Sequence, residues 1–139
     1  MTESTPRFEL AITVQDADID ELNHVNNVVY VRWVQEVATA HWRATADPED
    51  QAALGWVVVR HEIDYKRPAL PGDDIRAQTW VGAIVGRYYE RHVEFRRVSD
   101  ARLLARARTL WCPISRRTGR PVDAGERVRA RFSASPDGA

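Results

Sequence analysis

The chain has 139 residues, 44% of them hydrophobic, and its 20 basic and 20 acidic side chains give a formal net charge of zero. This length and composition predict a single domain over residues 1–139, and zero net charge argues against a nucleic acid as the main partner. The single Cys112 excludes an intramolecular disulfide, and the lack of a leader-like N-terminus and of a run of about 20 apolar residues predicts a cytoplasmic protein that does not cross a membrane.

The first half of the chain predicts one strand followed by one long helix. Residues 8–15 (FELAITVQ) are rich in β-forming side chains and end where a series of aspartates begins. Residues 28–45 contain neither Gly nor Pro and are mostly apolar, which predicts a largely buried helix. Asn26 or Asn27 is placed to cap this helix, and residues 46–55 (ADPEDQAALG) are expected to end it in a loop.

The second half of the chain has a two-residue periodicity that predicts four long strands. They cover residues 56–65, 75–85, 87–98 and 101–114. Short connections imply that they are antiparallel neighbours. In the third of them Tyr89, Val93 and Phe95 alternate with charged side chains, so one sheet face is expected to pack. The predicted class is therefore α+β, a five-stranded antiparallel sheet wrapped around one long central helix, with a core over about residues 8–125. A polar tail with at most one helical turn is predicted at 126–139.

Polar side chains are concentrated between the first strand and the helix. This segment contains Asp16, Asp18, Asp20, His24, Asn26 and Asn27. Because a helix N-terminus presents unpaired backbone N–H groups, the segment indicates a site where a carbonyl group could react. The aspartate spacing is similar to the start of a calcium loop, but Glu21 stands where that loop needs Gly and Asn27 where it needs Glu. No metal and no other cofactor is predicted.

Three segments of the chain carry motifs. The first is Asp18-x-Asp20-x-x-x-His24-Val25-Asn26-Asn27-x-x-Tyr30-x-x-Trp33-x-x-Glu36. The second is Tyr65-Lys66-Arg67-Pro68-Ala69-Leu70-Pro71-Gly72-Asp73, and the third is TLWCPISRRTGRPV at 109–122. Together they resemble the hotdog-fold thioesterases, of the 4-hydroxybenzoyl-CoA thioesterase and acyl-ACP thioesterase type, over about residues 8–125. The resemblance implies a hotdog fold, in which the sheet surrounds the helix and usually dimerises with a second sheet.

The resemblance implies an acyl-CoA thioesterase, which hydrolyses a thioester to a free carboxylic acid and CoA. It places the catalytic aspartate at Asp20, and the residues leave open whether this side chain is a general base or a nucleophile. His24 is a candidate to hydrogen-bond Asp20 or the substrate. The oxyanion contact falls at the helix start, where the backbone N–H of Asn27 or Val28 would stabilise the developing negative charge.

The predicted substrate contacts lie in the first motif and in the arginine-rich second half. They are Asp18, Asn26, Val28, Tyr30, Arg67, Arg87 and Arg91. The arginines are candidates because guanidinium groups bind phosphates such as those of CoA bidentately. Asp18 has the alternative role of ordering the loop, and Glu36 is expected to pair with Arg32 four residues earlier. We expect a homodimer or homotetramer, because hotdog domains generally complete their sites across an interface.

Other functions remain open at the level of sequence. A non-catalytic acyl-CoA-binding hotdog protein has no need to retain Asp20 and His24. A hotdog hydratase or dehydratase pairs Asp and His five residues apart, whereas four separate them here. Leu22 stands where plant acyl-ACP thioesterases have Asn, which weakens an acyl carrier protein as the carrier. Asn23 replaces a Gly of many relatives, and asparagine tolerates the left-handed backbone that this turn is expected to need.

Overall fold

The computed structural model describes residues 7–133, which form five strands and three α-helices. The strands are β1 Phe8–Thr13, β2 Leu54–Tyr65, β3 Asp74–Val85, β4 Tyr88–Arg97 and β5 Leu103–Ser115, and the helices are α1 Asn27–Thr45, α2 Pro48–Ala53 and α3 Glu126–Phe132. One antiparallel sheet has the strand order β1-β3-β4-β5-β2. The predicted α+β class and its five antiparallel strands are confirmed. Among these residues no helix combines the length and apolar character needed to cross a membrane.

The central helix α1 packs one apolar face against the sheet. Its buried residues recur at spacings of three and four, which forms a single stripe along the helix. They include Tyr30, Trp33, Val34 and Val37. Trp33 packs on Phe95 of β4, with the ring centroids 5.9 Å apart. The opposite face carries exposed Arg32, Gln35, Glu36 and Thr39. The helix is therefore less buried than predicted, because one five-stranded sheet reaches only one of its faces.

The segment that follows α1 corrects the prediction of a loop over residues 46–55. It forms the short helix α2, with Pro48 in its first turn, where the missing proline N–H costs no hydrogen bond. The side-chain amide of Gln51 donates to the carbonyl oxygens of Ala46 and Arg43, at 2.9 and 3.2 Å. These bonds join α2 to the end of α1 and set the start of β2.

The C-terminal segment corrects the prediction of a polar tail at 126–139. Within the described part of that segment, α3 buries Val128 and Phe132. Phe132 stacks on Trp42 at 5.6 Å between ring centroids and meets His41 edge-on at 5.0 Å. Two apolar side chains four residues apart make a stripe even in a helix whose other residues are mostly charged, so composition alone conceals this contact. Residues 134–139 lie outside the described residues.

Candidate active site

A groove of about 360 Å³ lies at the N-terminal end of α1. The loop before the helix contributes Asp20 and His24, the helix start contributes Asn26 and Asn27, and the turn after β2 contributes Arg67. The three residues predicted to be catalytic therefore lie in one groove. Their chemical roles remain predictions at this point.

Two backbone hydrogen bonds close the turn between Asp20 and His24. The Asp20 N–H donates to the His24 carbonyl oxygen, and the Asn23 N–H donates to the Asp20 carbonyl oxygen, each at 2.9 Å. Asn23 has a φ of 62°, in the left-handed region that asparagine adopts more readily than most residues. The left-handed turn predicted for Asn23 is confirmed, and the loop forms without a glycine at this position.

The Asp20 carboxylate is half-buried at the groove wall and accepts hydrogen bonds from neutral donors. The Leu22 N–H donates to Oδ1 at 2.9 Å, and the Asn26 side-chain amide donates to Oδ2 at 3.4 Å. A carboxylate has about four acceptor positions, so these bonds leave capacity to accept a proton. Within residues 7–133 no side-chain hydrogen bond joins His24 to Asp20, and the half-buried imidazole lines the groove beside it.

Asn26 caps the start of α1, as one of the two predicted capping residues. Its Oδ1 accepts the Val28 N–H at 2.9 Å, and its carbonyl oxygen accepts the Val29 N–H at 2.9 Å. Val28 is therefore not a free backbone donor, because the cap uses its N–H. The Asn27 N–H has no partner among the described residues, and it lies at the positive end of the helix dipole. Of the two predicted oxyanion donors, the geometry leaves Asn27.

Asp18 lies behind the loop and does not line the groove. Its buried carboxylate accepts the Gln15 N–H at 2.9 Å and the Arg32 Nη2 donor at 2.9 Å. The structure therefore gives Asp18 the alternative role of ordering the loop, because both of its oxygens are used within the protein. The predicted ion pair of Arg32 with Glu36 is confirmed, with Nε and Oε2 3.3 Å apart on the exposed face of α1.

The two ion pairs of Arg32, with Asp18 and with Glu36, are expected to contribute differently to the free energy of unfolding. Arg32→Met leaves the buried Asp18 without an ionic partner, which lowers the free energy of unfolding by about 2–3 kcal/mol. Glu36→Gln breaks only an exposed pair, so the expected change is below about 0.5 kcal/mol. Urea denaturation at pH 7, followed by circular dichroism, measures both. Equal losses in the two variants would contradict the role given to Asp18.

The sequence matches the model of the thioesterase-like superfamily over residues 14–132, which is most of the chain. The protein belongs to this superfamily. No curated protein matches the sequence at a significant level. The family resemblance of the three motifs is thus confirmed, and thioester hydrolysis is supported as the class of reaction.

Solved structures of thioesterases share the fold of this thioesterase-like protein. Slr0204, a 1,4-dihydroxy-2-naphthoyl-CoA thioesterase from Synechocystis, superimposes with a TM-score of 0.77 at 18% identity, covering 91% of this chain and 96% of that chain. YbaW, a probable thioesterase from Escherichia coli, superimposes with a TM-score of 0.74 at 20% identity, covering 88% of this chain and 94% of that chain. The dynemicin thioesterase superimposes with a TM-score of 0.82 at 17% identity, covering 94% of this chain and 99% of that chain. At these identities the likeness establishes the fold, which is the predicted hotdog arrangement.

Only one of the three predicted CoA-binding arginines of this thioesterase-like protein lies in the groove. That residue is Arg67, an exposed side chain next to Lys66. Arg87 lies in the turn between β3 and β4, and Arg91 is buried between α1 and the sheet. Neither Arg87 nor Arg91 lines the groove. Arg91 lies on the same face of β4 as the buried Tyr89, so its side chain enters the interior.

Two tyrosines line the groove beside the start of α1. The Tyr65 hydroxyl donates to the carbonyl oxygen of Asn27 at 3.0 Å, and burial raises the pKa of Tyr65. The Tyr30 ring packs edge-on against that of Tyr65 at 5.3 Å, and burial raises the pKa of Tyr30 to about 12. Both hydroxyls therefore remain protonated at neutral pH. Tyr65 is not among the residues that the sequence predicts for the site, although it directly precedes Lys66 and Arg67 in the second motif.

A second cavity, of about 260 Å³, lies along the C-terminal half of α1 and shares no lining residue with the groove. Five of its twelve lining residues are aromatic, and the wall also includes Arg91. The aromatic residues are Trp42, Trp56, Tyr89, Trp111 and Phe132. They come from α1, β2, β4, β5 and α3, so no single sequence motif indicates this cavity.

His41 of α1 lies behind this cavity, in contact with the lining residues Arg91 and Phe132. Arg91 Nη1 lies 3.0 Å from His41 Nδ1, and because an arginine only donates, Nδ1 accepts and the imidazole carries its proton on Nε2. Burial, aided by the positive charge of Arg91, lowers the pKa of His41 to about 4. The ring is therefore neutral at pH 7.

The low pKa of His41 makes stability depend on pH in mildly acidic solution. Between about pH 6.5 and pH 4 the unfolded chain binds a proton on His41 that the folded protein does not, so the free energy of unfolding falls as the pH falls. The expected loss is roughly 2 kcal/mol after allowance for partial solvent screening. Urea denaturation across this range should show a flatter pH dependence in His41→Gln than in the wild type. Burial also lowers the pKa of His61. This contribution is the same in the wild type and in His41→Gln, so it does not affect their difference. Identical pH profiles would contradict the prediction.

Proposed function

We propose that the protein is an acyl-CoA thioesterase that produces a free carboxylic acid and CoA in the groove at the start of α1. The observation that carries the proposal is that one groove holds the half-buried Asp20 carboxylate and, at a helix N-terminus, the Asn27 N–H, which has no partner among the described residues. Thioester hydrolysis requires a base or nucleophile and a donor to the developing oxyanion, and the groove contains both.

Asp20 serves the reaction in one of two ways. As a general base it removes a proton from water while the water oxygen attacks the thioester carbonyl. As a nucleophile it forms a mixed anhydride, which water then hydrolyses. On either route the C–S bond breaks, and the thiolate of CoA leaves and takes up a proton. Over repeated turnovers the oxygen atom added to the acyl group comes from water. The half-buried His24 beside Asp20 is the second titratable group available for proton transfer.

The start of α1 stabilises the transition state. As the carbonyl carbon becomes tetrahedral, its oxygen gains negative charge and accepts the Asn27 N–H, with the positive end of the helix dipole behind it. The cap formed by Asn26 binds the Val28 N–H, and the Tyr65 hydroxyl binds the Asn27 carbonyl oxygen of the same peptide group, which directly follows the Asn27 N–H. The donor is thus held in place before the substrate binds.

The basic turn after β2 is the proposed contact for the CoA phosphates. Lys66 and Arg67 are exposed at the groove, and their backbone N–H groups donate to the Leu104 carbonyl oxygen at 2.8 and 3.1 Å. The backbone of the turn is therefore anchored to β5, and neither side chain has a partner within residues 7–133, so both can reach a phosphate. CoA is the proposed carrier on this ground, with acyl carrier protein as the alternative.

We also propose that the protein forms a homodimer or homotetramer through the edge of the sheet. β2 is a terminal strand of twelve residues, and Val57 and Val59 on it are exposed. A long edge strand with exposed apolar side chains is a template for pairing with a second copy. Light scattering of the eluting protein measures the mass in solution, and a monomer at micromolar concentration would contradict the assembly.

A thiol-release assay tests the proposed activity. The purified protein is incubated with benzoyl-CoA, a short-chain acyl-CoA and a long-chain acyl-CoA, and with an acyl carrier protein loaded with the same acyl groups. We expect free thiol from at least one CoA ester. Tight binding of a CoA ester without thiol release would instead support a non-catalytic binding protein. An enoyl-CoA is included as a further substrate, and loss of its double bond without thiol release would support a hydratase.

A further inference from the structure

The aromatic cavity along the C-terminal half of α1 contains a buried charge without a counter-ion. Arg91 is 8% exposed, and no Asp or Glu of the described residues forms an ion pair with it. Burial lowers the pKa of Arg91 to about 10, so the guanidinium remains positive at neutral pH. Because His41 beside it is neutral, the local charge is not compensated within the described protein. A buried unpaired charge is costly, and a bound anion would remove that cost.

The hydrogen bonds of Arg91 also leave donors for a ligand. Nη1 makes both observed bonds, to Thr79 Oγ1 at 2.9 Å and to His41 Nδ1 at 3.0 Å. A guanidinium has five N–H groups, and those on Nε and Nη2 have no partner among residues 7–133. This edge of the guanidinium has the fork geometry that binds a carboxylate through two parallel hydrogen bonds.

Two more side chains of the cavity wall carry unsatisfied donors. The indole nitrogen of Trp56 and the hydroxyl of Tyr89 are both buried without a hydrogen-bond partner in the described structure. Their rings meet edge-on, with the centroids 4.9 Å apart. Unsatisfied buried donors are rare in folded proteins, and a small rotation of either side chain toward the cavity would bring its donor to an acceptor group on a ligand.

The remaining wall selects the body of the ligand. Trp42, Trp111 and Phe132 provide flat apolar surfaces, and no Asp or Glu is among the described lining residues. The outer part of the cavity is lined by the exposed Arg43 and Arg116, which add positive charge. A volume of about 260 Å³ is below the usual range for drug-sized ligands, so the occupant is small.

We propose that this cavity is a binding site for a small aromatic carboxylate, with Arg91 as its counter-ion and the Trp and Tyr rings around its aromatic body. Because the cavity shares no lining residue with the groove, the proposal does not depend on the reaction in the groove. The proposed ligand is a separate molecule and is not the CoA part of the substrate.

Binding of two acids and their uncharged amides tests the site. The probes are phenylacetate and indole-3-acetate, with phenylacetamide and indole-3-acetamide as neutral analogues, and the readouts are calorimetry and quenching of tryptophan fluorescence. We expect the acids to bind at least about tenfold more tightly than the amides, since charge-assisted bonds are the stronger ones. Equal binding of acids and amides, or no binding of any probe at millimolar concentration, would overturn the proposal.

Three variants locate the binding. Arg91→Met is expected to lose at least about tenfold in affinity for the acids and to stop discriminating them from the amides. Its thermal midpoint without ligand should stay close to that of the wild type, because the removal of an unpaired buried charge offsets the loss of the hydrogen bonds to Thr79 and His41. Trp56→Phe keeps the ring and loses the indole donor, so it should weaken binding while the fold is retained. Arg76→Met removes an exposed arginine outside both cavities and should bind as the wild type does.

Competition separates the cavity from the groove. Saturating CoA should leave phenylacetate binding unchanged, because CoA would occupy only the groove. Displacement of phenylacetate by CoA, or an Arg91→Met variant that binds the acids as tightly as the wild type, would place the ligand elsewhere and overturn the proposal. If the protein binds phenylacetate but releases no thiol from any CoA ester, the result would contradict the proposed thioesterase function and leave the proposed carboxylate site intact.

Discussion

Asp20→Asn is expected to lower kcat for acyl-CoA hydrolysis by at least about 10³-fold. The amide has nearly the shape of the carboxylate, and its oxygen still accepts the Leu22 N–H. Only the long bond from the Asn26 side-chain amide, at 3.4 Å, is lost, so the loop should keep its conformation. It cannot accept a proton from water or form a mixed anhydride, so either route for Asp20 is lost. Steady-state thiol release with the best CoA ester measures the effect.

Asp16→Asn is the matched control for this prediction. Asp16 lies in the same loop, has the same charge and is exposed outside the groove. Its variant should retain kcat within about a factor of two, since the change leaves the groove intact. Equal activity of Asp20→Asn and the wild type would remove Asp20 from the mechanism. Equal losses in both variants would indicate a general effect of loop charge.

Trp33→Ala is expected to lower the free energy of unfolding by about 3–5 kcal/mol. The ring is 1% exposed at the centre of α1, and it packs on Tyr30 at 5.0 Å and on Phe95 at 5.9 Å between ring centroids. Its removal leaves a cavity that the rigid helix and sheet cannot close. Urea denaturation at pH 7 measures the loss.

Gln35→Ala is the control for Trp33→Ala. Gln35 lies on the exposed face of the same helix, so truncation there should change stability by less than about 0.5 kcal/mol. A loss below about 1 kcal/mol for Trp33→Ala would show that the core of α1 repacks, contrary to the close packing observed around it.

The helix and its loop could be predicted from the sequence because their determinants are local. The run without Gly or Pro sets the extent of α1, and the predicted start lies within one residue of the observed Asn27. Asn26 as the cap and Asn23 in a left-handed turn follow from the hydrogen-bonding and steric properties of asparagine itself. The groove position of Asp20 depends on the same short segment, so it too could be located.

Features that depend on distant contacts could not be predicted with the same success. The apolar stripe of α3 is meaningful only against Trp42 and His41, which lie far away in the chain. Of the predicted CoA-binding arginines, Arg67 lies in the groove because the turn after β2 meets the start of α1. That meeting is a property of the folded sheet and has no local signal.

Arg91 is an instructive exception, because a local signal was present. The alternation that predicts Tyr89, Val93 and Phe95 on the packed face of β4 also places Arg91 there, between Tyr89 and Val93. Its charge favoured an exposed phosphate contact instead. The conflict between position and charge is itself informative, since a charged residue at a core position in a strand indicates a specific polar environment.

Labelling the products with heavy-oxygen water tests the central claim most directly, namely that this groove hydrolyses a CoA thioester. The wild type and Asp20→Asn are incubated with the preferred acyl-CoA in H₂¹⁸O, and the acid and the thiol are quantified by mass spectrometry. We predict that the wild type releases CoA and a carboxylic acid in equal amounts, with ¹⁸O in the acid, and that Asp20→Asn releases neither above the uncatalysed rate. An ¹⁸O label in a hydrated thioester, or equal release of labelled acid by both proteins, would contradict the account.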